Sequence, residues 1–178
     1  FSGGFHPLPR IQIALALPLG VEADHEWMDI NFYKELDHKT VLLTLQKALP
    51  KGLRLISADA IDVKKPSLSS SIVSAIWSFN LNIVSGTMPS TSEWLSAISF
   101  VLKSTELIWN DTDKKGRPRQ RDCRPELHAL KVANSDLRSN SVETVKLELN
   151  TLIDPMGRSV KPLHVKHWLE EYFARPLK

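Results

Sequence analysis

The sequence predicts a mixed α+β fold. It reads as two ferredoxin-like halves of the βαββαβ type, with helices packed on antiparallel sheets and the first half lacking its opening strand and helix. Three observations lead there. Short apolar–polar alternations of strand period recur along the chain, and apolar stripes of helical period are interspersed among them. A Lys-, Pro- and Ser-rich stretch divides the whole into two parts. At 178 residues the chain can bury one ordinary core or two small ones.

In order, Ile11, Ile13, Leu15 and Leu17 alternate with Gln12, Ala14 and Ala16, which predicts a half-buried strand turned by Pro18 and Gly20. Met28, Ile30 and Phe32 alternate with Asp29, Asn31 and Tyr33 in a second strand. Asp37 is placed to cap a helix whose apolar face is Val41, Leu42, Leu45, Ala48 and Leu49, stopped by Pro50 and Gly52. A strand over residues 53–62 completes residues 1–63, and residues 64–74 read as a linker. In residues 75–178, Trp77, Phe79, Leu81 and Ile83 alternate with Ser78, Asn80 and Asn82, the clearest strand in the chain. Ser90 and Glu93 have capping-box spacing ahead of Trp94, Leu95, Ile98, Val101 and Leu102. Short strands are expected near residues 106–110, 126–132 and 143–152. A last helix opens on Pro162 and turns Val165, Trp168, Leu169, Tyr172 and Phe173 inward.

Charge is unevenly distributed. Residues 1–113 hold 9 Lys and Arg against 12 Asp and Glu, whereas residues 114–178 hold 14 against 8. The second part is therefore the place to look for an anionic partner. No apolar run approaches the roughly 18–20 residues that span a bilayer, and no leader pattern is present. A start on Phe1, directly in a motif, leads us to expect a piece of a longer cytoplasmic protein. The single cysteine, Cys123, excludes a disulfide scaffold and a cysteine-built zinc or iron–sulfur site within the chain.

Two stretches could carry chemistry. The opening run places Phe5, His6 and Arg10 among two glycines and two prolines, a shape that can present side chains and backbone N–H groups to an anion. The alternative is a loop that only turns the chain into its first strand. Residues 114–124 hold six cations, with Lys114, Lys115, Arg117, Arg119 and Arg121 as candidate phosphate contacts. The alternative there is a solvated hairpin tip. Asp122 lies two residues from Arg124, a spacing that predicts a structural ion pair. His164 and His167 read as surface histidines, the five tryptophans mostly as core, and no internal sequence repeat is visible. Nucleophile-elbow, zinc-protease and dinucleotide fingerprints are missing.

The run Phe1-Ser2-x-Gly4-Phe5-His6-Pro7-x-Pro9-Arg10, then Pro18-Leu19-Gly20-Val21-Glu22 and Met28-Asp29-Ile30, resembles the family of radical-SAM-linked proteins. Lys115-Gly116 and Asp122-x-Arg124-Pro125 resemble its second motif, with Cys123 where an aliphatic residue is usual. The resemblance spans nearly the whole chain. It implies a partner, a radical-SAM domain encoded beside the chain or fused ahead of it. That partner would carry a 4Fe–4S cluster and S-adenosylmethionine, with cobalamin a further expected cofactor because many partners have a cobalamin-binding-like region. It also implies a strand and a helix before Phe1, and its association with ribosome and RNase genes favours RNA. The chain itself is expected to hold no cofactor and no metal and to act as a non-catalytic accessory domain that positions RNA, touching neither membrane nor DNA. The alternatives are a module that docks the radical-SAM domain, and an enzyme using His6 as acid or base.

Overall fold

The computed structural model of the chain describes residues 10–62, 64–84, 86–87, 89–113, 115–133 and 144–178. These form a mixed α+β structure that divides between Ile72 and Val73 into two units.

In the first unit, β1 (Ile11–Ile13) pairs antiparallel with β2 (Met28–Ile30), Ile11 lying opposite Ile30. The period-two pattern runs on to Leu17, but among the described residues the ladder ends at Ile13, followed only by the Ala14 N–H on the Trp27 carbonyl at 2.9 Å. Helix α1 (His38–Ala48) starts where Asp37 accepts the Thr40 N–H at 3.0 Å and stops two residues before Pro50. Val41, Leu42, Leu45 and Leu49 are half-buried, and no residue from 10 to 62 is fully buried. The strand expected over residues 53–62 is not formed. Its Leu55 N–H is taken by the Gln46 side chain at 2.9 Å rather than by a neighbouring strand. Residues expected to be a linker carry a short helix, α2 (Leu68–Ser71), tied to the β-ladder by Leu68 N–H to Asp29 and Gln12 to Ser69.

The second unit holds the core. Strands β3 (Ser74–Asn82), β7 (Thr144–Leu152) and β6 (Leu127–Val132) form an antiparallel sheet in the order β3-β7-β6. One face of β7 presents Val145, Leu147, Leu149 and Thr151, all fully buried. Helix α3 (Thr91–Lys103) and helix α4 (Pro162–Phe173) supply Trp94, Ala97, Ile98, Val101, Val165, Trp168 and Leu169 to the same core. Each such aliphatic side chain contributes about 1.5–3 kcal/mol by leaving water. The Ser90–Glu93 capping box forms as its spacing predicts. The remaining strands, β4 (Ile108–Thr112) and β5 (Pro118–Asp122), make a separate hairpin, followed by a 3-10 turn, Arg124–Glu126. Among the described residues neither unit carries a four-stranded βαββαβ sheet.

Candidate functional site

The Asp122–Pro125 motif is structural. Asp122 Oδ1 accepts two backbone N–H groups, from Leu107 at 2.8 Å and Arg124 at 2.9 Å. The guanidinium of Arg124 turns away from it and donates to three carbonyls: Ser104 at 2.9 Å, Leu102 at 3.0 Å and Leu127 at 3.0 Å. Two of these belong to the end of α3, where helix carbonyls have no partner of their own. The side-chain ion pair expected between Asp122 and Arg124 is therefore replaced by a helix cap. A planar fork of five donors fits three carbonyls better than it fits one carboxylate already engaged by the backbone. Cys123 is fully buried between them, and burial raises its thiol above the ordinary range.

The hairpin sets the register of the basic residues. Trp109 lies opposite Arg121 and Asp111 opposite Arg119, so strand alternation puts these four on one face and Asn110 and Gln120 on the other. The turn is built by Asp113, whose Oδ1 accepts the N–H groups of Lys115 and Arg117 while its Oδ2 accepts Arg117 Nε at 2.8 Å. Gly116 takes a φ of +76°, which a side chain would strain. Residues 154–158 repeat the design. Asp154 Oδ1 accepts the N–H groups of Met156 and Arg158, Oδ2 accepts Arg158 Nε at 2.6 Å, and Gly157 has a φ of +75°. Both carboxyls are held below their usual range, first by the backbone N–H of the paired arginine and also by its side chain. The chain thus does contain a small internal repeat, Asp-x-x-Gly-Arg, legible in the sequence at 113–117 and 154–158.

These loops border a cleft of about 220 Å³ lined by Trp109, Asp111, Arg119, Arg121, Arg158, Ser159, Lys161 and His164. Arg121 is fixed by Glu126 at 3.2 Å and by the Ser159 carbonyl at 3.3 Å. Arg158 is fixed by Asp154. Among the described residues Arg119 and Lys161 form no ion pair and carry the unbalanced positive charge, tempered by Asp111. Lys161 is the N-cap of α4, so the positive end of that helix faces the same region. His164, expected at the surface, is buried instead, its ring 4.5 Å from Trp109 and 6.1 Å from Trp168. Its Nδ1 accepts the Lys161 N–H at 3.3 Å. Burial, then the charges of Arg121 and Lys161, lower its pKa to about 4, so the ring is neutral at pH 7 with its proton on Nε2.

Of the expected site residues, Phe5, His6 and Lys114 lie outside the described residues. Arg10 is exposed in the first unit, its carbonyl accepting the Asn31 N–H at 3.1 Å. Lys115 and Arg117 sit at the exposed hairpin turn, Arg117 paired with Asp113 at 2.7 Å. Arg119 and Arg121 reach the cleft. Sequence reading missed Arg158, Lys161, Trp109 and His164; the repeated Asp-x-x-Gly-Arg was the signal that could have joined the first of these to the hairpin. Among the described residues no group of three His, Cys, Asp or Glu could hold a metal ion, and no helix is long and apolar enough to cross a membrane.

No curated protein and no solved structure matches the chain. Residues 1–162 match the model of the family described as an uncharacterized protein conserved in bacteria (DUF2344). That match includes the opening motif, the hairpin, the Asp122–Pro125 cap and both Asp-x-x-Gly-Arg loops, and the chain belongs to this bacterial family.

Proposed function

We propose that the chain is a non-catalytic accessory domain of a radical-SAM protein, holding RNA for an active site carried elsewhere in the same polypeptide or by a partner in the cytoplasm. The observation that supports RNA holding is the cleft, where Arg119, Arg121, Arg158 and Lys161 meet beside Trp109. Cations gathered at one place are what a nucleic-acid backbone uses for affinity. The radical-SAM assignment rests on the resemblance of the two motifs. The 4Fe–4S cluster, S-adenosylmethionine and cobalamin would all belong to the partner, since one buried thiol offers no ligand set here. Phe5, His6 and Arg10 would add contacts from the opening of the chain.

A second reading, docking of the radical-SAM domain, is favoured by a different feature. The first unit leaves Leu19, Tyr33 and Leu43 largely exposed, and apolar side chains of this kind mark an interaction surface where they adjoin in one patch. Ultraviolet crosslinking of the intact protein to RNA separates the two. RNA holding places crosslinks on peptides containing Trp109 and residues 157–161. Crosslinks confined to other peptides, or none, would reject it.

A further inference from the structure

Resting on the RNA reading, we propose that the cleft recognises a terminal phosphate of the RNA, a phosphate monoester, rather than an internal stretch of backbone. The cations of a backbone-tracking groove form a stripe, because successive phosphates follow one another along the strand. Here they converge. Arg119 and Arg121 come from β5, Arg158 from the second Asp-x-x-Gly-Arg loop and Lys161 from the N-terminus of α4, all around one cleft of about 220 Å³. That volume accommodates a phosphate group with cations on several sides of it.

The donors suit the same group. A monoester presents three unesterified oxygens, one more than a diester, and gains more from donors on several sides. Arg121 and Arg158 are held in place by Glu126 and Asp154 and so act as fixed donors at little ordering cost. Arg119 and Lys161 supply the net charge that a dianion attracts. Asp111, on the same wall, opposes entry of any anion that those two cations do not more than offset.

The test uses the intact protein and one short RNA in three forms: 5′-phosphorylated, 3′-phosphorylated and with hydroxyls at both ends. One of the phosphorylated forms is expected to bind about tenfold more tightly than the unphosphorylated RNA, the scale of one or two charge-assisted hydrogen bonds. Inorganic phosphate is expected to compete for that advantage, and Arg119→Ala and Lys161→Ala, both exposed side chains, to abolish it while thermal unfolding stays unchanged. Equal affinity for all three RNAs overturns the terminal-phosphate inference and leaves RNA holding intact. Saturable binding of inorganic phosphate with no binding of any RNA overturns RNA holding and keeps the phosphate assignment to the cleft.

Discussion

Replacing Arg124 tests whether the Asp122–Pro125 motif is a structural cap. Its guanidinium donates three hydrogen bonds, to Leu102, Ser104 and Leu127, all at 2.9–3.0 Å. Hydrogen bonds from a charged donor contribute about 1.5–3 kcal/mol each when fully desolvated. Arg124 is only partly buried, so water can replace some of what Arg124→Ala removes, and we set the expected loss at about 3 kcal/mol. For a unit of this size each kcal/mol moves the midpoint by roughly 4–8 °C, so thermal unfolding should shift down by about 15 °C. Arg124→Lys keeps the charge but cannot reach three carbonyls with one ammonium, so it should lose about 2 kcal/mol. The assay is thermal and urea unfolding of the same samples, with RNA affinity measured below the transition. A loss under about 1 kcal/mol in both variants would refute the cap. So would a stable Arg124→Ala protein that has lost RNA binding, because that pattern belongs to a contact residue.

Two further outcomes follow from burial. Cys123 should resist a thiol reagent in the native protein and react fully in denaturant, since it is fully buried and its thiol is raised; rapid native reaction would contradict its placement. His164 binds a proton in the folded state only near pH 4, whereas the unfolded ring does so near 6.5. The unfolded state therefore takes up more protons between those values, and the stability due to the neutral ring is present above pH 6.5 and lost as pH falls toward 4. The loss should reach up to roughly 3 kcal/mol and should be absent from His164→Gln; identical pH profiles for the two proteins would dismiss it.

What could be seen in the sequence was local. The Ser90–Glu93 box, the Asp37 cap, Pro162 at the start of α4 and the alternation around Trp77 each depend on neighbours a few residues apart. Residues 53–62 misled because apolar alternation states a preference for one buried face but not whether a partner strand exists, and none among the described residues pairs with them. Arg124 misled for a related reason: spacing placed it near Asp122, whereas two of the three carbonyls it serves, Ser104 and Leu102, come from the C-terminal end of α3, 20 and 22 residues earlier. The cleft was half legible. Arg119 and Arg121 stood out as a charge run, but Arg158 and Lys161 join them only through the fold, and Trp109 and His164 carry no local signature of a site. Counting charges also overstated the hairpin, since Arg117 is paired with Asp113, Arg121 with Glu126, and Arg124 caps a helix.

The most direct test of RNA holding is the salt dependence of RNA affinity for the intact protein beside Arg119→Ala, Lys161→Ala and their combination. Each cation that contacts phosphate releases counterions, so losing one lowers the slope of log affinity against log salt by roughly 0.7 for single strands. Measurable binding at low salt and a slope lower by about 1.4 in the double variant, with folding unaffected, are expected. Wild-type protein that binds no RNA at low salt, or a double variant with unchanged slope and affinity, would contradict RNA holding.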